Sequence, residues 1–314
     1  MSCLKDSFES TGIQEQAKMD RFEFGALVAS LRDDMRWTQM ELADRSGVDI
    51  SAISNIERGE RKTLLKDNML VKLADGFHLT SMERQEFLFA ASGVTELEMV
   101  RKEYIREKKQ FDPNVFLKET GEHIACITLP VLVTDAFCDI LLANHCLIDF
   151  YGASPELLKN ADTIIGGFNI MRYIFDPLSN FPEIIGNDSW ERLALINARY
   201  FRRRTLRVRS KPYFSRLLKE LLDNKKYPSF ERCWRKILFE EHDDFSLPIK
   251  RSDPNNTHSF VATDSLLALT PFGELYIHQI LPLNRKTADR IEKISKKVGE
   301  GYEQFALFPD KRKQ

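Results

Sequence analysis

The segment Thr38–Gly59, with the sequence TQMELADRSGVDISAISNIERG, constrains the fold of this chain more than any other stretch. Its first residue can cap a helix, and Glu41 stands three positions later, which completes a capping box. Gly47 tolerates the left-handed backbone that a tight turn between two helices requires. Asp49 then provides the side chain that an N-cap needs. The spacing of these residues predicts two short helices joined by a tight turn.

The apolar and small residues of this stretch complete the pattern. Ala43 is small where the second helix has to cross the first. The residues expected to face inward are Leu42, Val48, Ile53 and Ile56. Apolar residues also recur at helical spacing on either side, at Phe24, Leu27, Val28 and Leu31 and again at Leu70, Leu73, Ala74 and Phe77. We therefore predict a run of short helices over residues 21–93.

These residues resemble the XRE (lambda-repressor/Cro-like) family, whose typical run is TQ-x-x-LA-x-x-(S/A)GV followed by IS-x-IE-x-G. The matching positions of this chain are Thr38-Gln39, Leu42-Ala43, Ser46-Gly47-Val48, Ile53-Ser54 and Ile56-Glu57-Arg58-Gly59. The resemblance implies an all-α, five-helix, lambda-repressor-like domain that binds duplex DNA, and hence a transcription regulator. It also implies a structural ion pair between Glu57 and Arg32.

The same resemblance implies that the second helix lies in the major groove of the DNA. We expect Ser51, Ala52 and Asn55 to meet base edges, because Asn bonds adenine twice, Ser bonds either way and Ala contacts the thymine methyl. Ile50 is apolar where family members often carry a polar residue. Gln39 and the basic residues after the second helix are expected on phosphates. The full set of expected DNA-binding residues is Thr38, Gln39, Asp49, Ser51, Ala52, Asn55, Arg58, Arg61 and Lys62.

The charge balance limits how strongly one such domain can bind DNA by itself. The whole chain has a formal net charge of −1, and residues 20–93 contain ten Lys and Arg against thirteen Asp and Glu. Binding then requires a local basic patch, a homodimer or both, and a dimer suits two half-sites about one helical turn apart. The alternative is a helix-turn-helix that serves mainly in protein–protein interaction.

The length of 314 residues suits a chain of two domains. We predict a polar tail over 1–20, the helical domain over 21–93, a charged linker helix over 94–112, a second domain over 113–300 and a tail over 301–314. The first twenty residues lack the pattern of a signal peptide, and no stretch approaches the roughly 18 apolar residues of a membrane span. The five cysteines include no CxxC pair and favour reduced thiols. We expect a cytoplasmic protein that does not bind a membrane.

The character of the sequence changes after Pro113. The short apolar runs Pro130–Asp135 and Asp139–Asn144 predict a β-hairpin. Helices are predicted over much of 170–242, strands at 244–250, 258–270 and 273–281, and a closing helix at 284–299. This order predicts a mixed α+β domain with extra helices and a mostly antiparallel sheet.

Parts of the second domain resemble known ligand-binding families. LPVLVTDAFCDILLANHCLIDFYG, residues 129–152, resembles the opening of PAS domains, and FERCWRKILFEEH and TPFGELYIHQI resemble the MmyB-like ligand-binding domain. The resemblance implies a PAS-like pocket for a small apolar ligand, with fatty acids or acyl compounds as the associated class. The candidate pocket residues are Leu142, Phe150, Phe168, Trp190, Phe201 and Trp234. The alternative for each aromatic residue is an ordinary place in the core.

Three further features leave alternatives open. Cys138, His145 and Cys146 are close in sequence and raise metal, haem or redox sensing, although their spacing matches no standard zinc pattern. No P-loop, GxGxxG, GxSxG or HExxH pattern is present, so we expect no enzymatic activity. The basic run Arg199–Lys211 could be a solvated helix face, a clamp for a ligand carboxylate or phosphate, or a second contact with the DNA backbone.

Overall fold

The computed structural model describes residues 21–60, 67–92, 111–152, 167–179, 182, 187–238, 249–251, 258–270, 272–306 and 308–309. The predicted tail over 1–20 and all but the last two residues of the predicted linker helix lie outside these ranges. The chain divides into two compact units. We call them the N-terminal unit (Met1–Phe77 with Gln85–Ile105) and the C-terminal unit (His78–Arg84 with Arg106–Gln314).

The described part of the N-terminal unit is helical, as the sequence predicts. The helices from Arg21 onward are α1 Arg21–Asp34, α2 Gln39–Ser46, α3 Ile50–Glu57, α4 Asp67–Gly76 and α5 Ser81–Ser92. The first residues of α5 belong to the stretch His78–Arg84, which is part of the C-terminal unit. The apolar positions predicted from helical spacing in α1 and α4 are buried. Phe77 completes this core. Its ring centroid lies 6.5 Å from that of Trp37 and 6.4 Å from that of Phe87.

Gly25 allows two of these helices to approach closely. A Cβ atom at this position would lie 2.8 Å from the carbonyl oxygen of Glu57 and closer still to that of Ile56. Because both atoms belong to the backbone of α3, neither can rotate away as a flexible side chain would. Glycine therefore lets α1 pack against the last turn of α3, which holds α3 in place.

A six-stranded sheet forms the centre of the C-terminal unit. Its strands are β1 Val131–Asp135, β2 Ile140–Asn144, β3 Ile249–Arg251, β4 His258–Thr270, β5 Gly273–Pro282 and β6 Tyr302–Gln304. They lie in the order β3-β4-β5-β1-β2-β6, and every neighbouring pair is antiparallel. The predicted hairpin is confirmed as β1 and β2. The strand β6 falls in the predicted tail over 301–314, where Ala306 and Phe308 are also buried.

Helices pack on both faces of this sheet. They are α6 Pro113–Ala125, α7 His145–Tyr151, α8 Ile170–Phe175, α9 Asn187–Arg204, α10 Pro212–Leu221, α11 Phe230–Ile237 and α12 Arg285–Val298, with 3-10 turns at Pro177–Ser179 and Leu206–Val208. In the described part of the chain, no helix has both the length and the hydrophobicity needed to cross a membrane.

The burial of β1 shows how the sheet separates two cores. Leu132 belongs to the larger cluster, which includes the aromatic residues of α7 to α11. Val131 and Val133 belong to a second cluster with residues of α6 and the C-terminal Phe308. Successive side chains of a strand point to opposite faces, so one apolar strand can serve both clusters. The predicted α+β class with an antiparallel sheet and extra helices is therefore confirmed.

Candidate nucleic-acid interface and interior cavity

The junction between α2 and α3 has the geometry that its caps predict. Thr38 and Glu41 form the capping box of α2, with the Glu41 N–H donating to Thr38 Oγ1 at 3.2 Å and the Thr38 N–H donating to Glu41 Oε2 at 2.7 Å. Gly47 ends α2 with a φ of 62°, the left-handed conformation that suits glycine. Asp49 caps α3 by accepting from the N–H groups of Ser51 and Ala52. The predicted capping box, left-handed turn and Asp49 cap are confirmed.

The expected base-reading side chains of α3 lie outside the core, and the two polar ones, Ser51 and Asn55, already have partners. Ile53 and Ile56 are buried, whereas Ser51 is exposed and Ala52 and Asn55 are half-buried. The Ser51 hydroxyl donates to Asp49, and its side-chain hydrogen bond lowers the pKa of that carboxyl. Ser51 therefore has to change this hydrogen bond before it can donate to a base, whereas its oxygen can still accept from one.

Asn55 is held in a similar way. Its Oδ1 accepts from Arg58 Nη2 at 2.8 Å, and the same Arg58 nitrogen lies 3.1 Å from Glu60 Oε2. All of these groups are close to the surface, so water or DNA can replace them at little cost. The arrangement places a cation beside the amide that is expected to read adenine.

Glu57 joins three elements of the N-terminal unit. Arg32 of α1 donates to both of its carboxylate oxygens, from Nε at 2.8 Å and from Nη2 at 3.1 Å. This confirms the predicted ion pair, and the hydrogen bond raises the pKa of Arg32. Gln39 Nε2 also donates to Glu57 Oε2 at 2.8 Å, a contact that the sequence pattern did not indicate. The Gln39 amide nitrogen thus has a protein partner, whereas the sequence predicts a phosphate contact for it.

Two of the expected phosphate-binding residues, Arg61 and Lys62, lie outside the described residues.

A cavity of about 140 Å³ lies in the C-terminal unit between the sheet and helices α7 to α9. Its wall combines aliphatic and aromatic side chains with a few polar ones at one end. The lining residues are Leu132, Ile140, Ala143, Leu147, Ile148, Tyr151, Phe168, Ile170, Tyr173, Ile174, Leu193, Ile196, Asn197, Tyr200, Arg203, Val261, Ala262, Thr263, Asp264, His278, Ile280 and Phe305.

The six predicted pocket residues occupy different places around this cavity. Phe168 lines it. Phe150, Trp190, Phe201 and Trp234 are buried in the larger cluster of the same unit without lining the cavity. Leu142 belongs to the second cluster. The large aromatic residues pack on one another instead; Trp234, for example, has its ring centroid 5.7 Å from that of Phe230 and 6.0 Å from that of Phe201.

The polar end of the cavity is built around His278 of β5. Its Nε2 lies 2.9 Å from Thr134 Oγ1 of β1, and its ring meets that of Tyr200 edge-on at 5.5 Å. Burial lowers the pKa of His278 to about 4 and raises the pKa of Tyr200. Both side chains are therefore neutral near pH 7.

Arg204 does not line the cavity but binds two residues of its polar end, Asp264 and Tyr200. Its guanidinium donates to Asp264 of β4 and, from Nε at 3.2 Å, to the hydroxyl of Tyr200. The same guanidinium carbon lies 3.9 Å from the ring centroid of Tyr276. This cation is thus held by a carboxylate and two aromatic side chains of the C-terminal unit, and sequence reasoning did not single out Asp264, Tyr276 or His278.

The basic run Arg199–Lys211 is largely built into this unit. Besides Arg204, Arg207 donates to Glu274 at 3.0 Å. Arg209 is only 1% exposed, and its guanidinium carbon lies over the rings of Phe214 and Trp234 at 5.4 and 5.6 Å. Arg204 and Arg207 thus tie this region to strands β4 and β5, Arg209 packs against α10 and α11, and the three do not form a solvated face.

The cysteines near the hairpin are buried thiols. Burial raises the pKa of Cys146 to about 11 and raises that of Cys138 further. Neutral thiols are poor metal ligands and poor nucleophiles. Among the residues that the structure describes, no three His, Cys, Asp or Glu side chains lie together so as to hold a metal ion.

Comparison with known proteins addresses the N-terminal unit. Residues 23–87, about a fifth of the chain, match the family described as helix-turn-helix domain. No curated protein matches the chain. The matched range begins inside α1, contains α2, its left-handed turn and α3, and ends within α5. The N-terminal region of this chain therefore contains a helix-turn-helix domain.

Proposed function

We propose that this protein is a sequence-specific, DNA-binding transcription regulator of the XRE type, whose C-terminal, PAS-like unit senses a small apolar ligand. The observation that carries the DNA-binding part is the position of α3. Its apolar side is buried against α1 and α2, while Ser51, Ala52 and Asn55 remain outside the core next to a capped helix N-terminus. That is the face which recognition helices present to base edges in the major groove.

The mechanism follows from the partners that these side chains already have. Asn55 can exchange its bond with Arg58 for two bonds with adenine, which releases Arg58 toward a neighbouring phosphate. The capping box already uses the N–H groups of Thr38 and Glu41, so we propose that a phosphate binds at the other N–H groups of the first turn of α2, while the Gln39 side chain ties that helix end to Glu57. The excess of acidic residues over 20–93 favours a homodimer, since a second copy doubles the number of phosphate contacts. We also propose that it acts in the cytoplasm.

The cavity supports the sensing part of the proposal. It lies between an antiparallel sheet and helices, it is mostly apolar, and it has a few polar groups at one end, as small-molecule sites commonly do. Fatty acids or acyl compounds are the class that the resemblance implies. The buried thiols favour an apolar ligand over metal, haem or redox sensing, and we propose binding without catalysis.

Selection of operators from random duplex DNA tests the DNA-binding part. Asn55→Ala should weaken binding to the selected operator by about 1–3 kcal/mol and relax the preference at one base pair. Lys62→Ala should weaken all duplexes alike and reduce the salt dependence by about one phosphate contact. Asn68→Ala is a matched control, because Asn68 is an exposed asparagine of α4.

Failure to enrich any duplex would contradict sequence-specific binding and would favour the protein–protein alternative. Equal operator affinity of Asn55→Ala and wild type would show that α3 is docked differently. Operator affinity that stays the same whether or not the cavity is occupied would contradict ligand sensing while leaving DNA binding intact.

A further inference from the structure

The size of the cavity limits what can occupy it. A volume of about 140 Å³ is close to that of an apolar protein cavity of about 150 Å³ that holds one benzene molecule. A long acyl chain has more than twice as many carbon atoms as benzene, so most of it would have to lie outside this space. The volume favours a compact ligand.

The shape of the wall favours a ring. Tyr151, Phe168, Tyr173, Tyr200 and Phe305 contribute five aromatic side chains to the lining. Aromatic rings prefer edge-to-face or offset contact with another ring, and such contacts stabilise a bound ring beyond the area that it buries. The remaining wall is mostly aliphatic and fits the edges of a flat, apolar ligand.

Two buried polar groups at one end have hydrogen-bonding capacity left. His278 is 8% exposed and uses Nε2 on Thr134, and within the described residues its Nδ1 has no hydrogen-bond partner. The Tyr200 hydroxyl accepts from Arg204, and no described residue accepts its proton. Either tautomer of His278 fits a ligand hydroxyl, which can both donate and accept.

Loss of hydration at this end disfavours an ionised ligand. Asp264 and Arg203 both line the cavity, and the Asp264 carboxylate already binds Arg204. A ligand carboxylate would give up its water on entering a mostly apolar space. A neutral ligand avoids this cost.

On the basis of the proposed sensing function, we propose that this cavity binds a compact, uncharged ring compound with one hydroxyl-type group, held between His278 and Tyr200. Phenol is the simplest probe of this class, and benzene is its counterpart without the hydroxyl. The ring fills the apolar part of the cavity, and the hydroxyl satisfies the two buried polar groups.

The test is calorimetric titration of the full-length protein with phenol, benzene, benzoate and decanoate at pH 7. Phenol should bind about tenfold more tightly than benzene, the effect of one net hydrogen bond, and at least tenfold more tightly than benzoate. His278→Leu should abolish the preference for phenol over benzene while benzene affinity stays within about twofold. Retained benzene binding then shows that the variant is folded.

Tyr200→Phe provides a second variant if His278→Leu fails to fold, and it should reduce the phenol preference in the same direction. Ala143→Leu fills the cavity from β2 and should abolish binding of both phenol and benzene.

Equal affinity of wild type for phenol and benzene would overturn the proposed hydrogen bonds of the ligand hydroxyl with His278 and Tyr200. Tighter binding of decanoate than of phenol would overturn the size and charge argument and would leave an acyl-sensing regulator standing. If none of the four probes binds, the compact-ring proposal is wrong, and operator selection still decides the DNA-binding function.

Discussion

The α2–α3 junction and the basic run Arg199–Lys211 both gather polar side chains, and they fix them by different means. At the junction, most side-chain hydrogen bonds join residues two or three positions apart, as in the caps made by Thr38 and Asp49. In the basic run, Arg204 reaches Asp264 and Arg207 reaches Glu274, which lie 60 and 67 positions further along the chain. The first region is organised locally, and the second only by the fold of the whole unit.

The charged and polar side chains of the two regions therefore differ in how easily they can exchange partners. Polar groups near the surface of α3 can exchange partners at little cost, which suits a side chain that has to contact DNA. Charges inside the C-terminal unit are too expensive to leave without partners, so their contacts are fixed once the unit has folded. The junction is therefore suited to binding, and the basic run to stabilising the fold of the C-terminal unit.

The largest expected effect tests the close packing on which the junction depends. Gly25→Ala should lower the free energy of unfolding by about 4 kcal/mol, because the new Cβ would overlap two backbone oxygens of α3 and the helices would have to separate. Denaturant unfolding followed by circular dichroism measures it. Ala29→Gly at an intermediate position of α1 is the control for helix propensity and should lose only about 1 kcal/mol. Equal losses would mean that packing of α1 on α3 does not position the reading helix.

The next effect tests whether the basic run is structural. Arg204→Met should lower stability by about 3 kcal/mol, near the lower end for a broken buried ion pair, since its side chain is 21% exposed and that of Asp264 is 24% exposed. Arg285→Met is the matched control, because Arg285 is 88% exposed in its ion pair with Asp289 and should lose less than about 0.5 kcal/mol. If both variants lost little stability but Arg204→Met bound DNA more weakly, the run would be a DNA contact after all.

The next smaller effect concerns Glu57, whose contacts with Arg32 and Gln39 join residues far apart in the sequence. Glu57→Ala should lower stability by about 2 kcal/mol, because Arg32 is left without its carboxylate and Gln39 loses its acceptor. Glu60→Ala removes an exposed carboxylate a few residues away and should have almost no effect. The base preference of Glu57→Ala should stay that of wild type. A changed preference at constant melting temperature would assign Glu57 to reading and not to structure.

The smallest expected effect is a pH dependence of the C-terminal unit. His278 has a pKa of about 4 in the folded protein and about 6.5 when unfolded, so the unfolded chain takes up the proton first as the pH falls. Between pH 6.5 and pH 5 this should remove about 1.5 kcal/mol of stability. The groups that face His278 are Asp264, Arg204 and Tyr200. His278→Leu should flatten the pH profile over this interval, and an unchanged profile would mean that another group titrates there.

The same contrast explains what could be predicted from the sequence. The caps, the left-handed Gly47 and the pair of Arg32 with Glu57 follow from fixed spacings, so a single sequence carries them. The sequence does not predict the hydrogen bond from Gln39 to Glu57. The motif indicates a phosphate contact for Gln39, but a glutamine at that position can equally well bind a protein side chain.

The cavity could not be predicted in the same way. Large aromatic residues attract notice in a sequence, but Trp190, Phe201 and Trp234 fill space, whereas a cavity exists where side chains such as Ala143 stop short. His278 and Thr134 are 144 positions apart and have no local signal that would connect them. The strand β6 spans three residues, too few for an alternating pattern to stand out in what was predicted as a tail.

The short strand β6 also bears on how the protein avoids aggregation through the edge of its sheet. β2 is buried along its full length, and β6 pairs with it from Leu142 to Asn144. Without β6, β2 would become an apolar edge whose open hydrogen-bonding groups could accept a strand from another molecule, the usual start of aggregation. β6 offers only three residues, two of them exposed, and β3 at the opposite edge is equally short. A chain truncated after Gly299 should therefore aggregate during expression even though every lining residue of the cavity except Phe305 is retained.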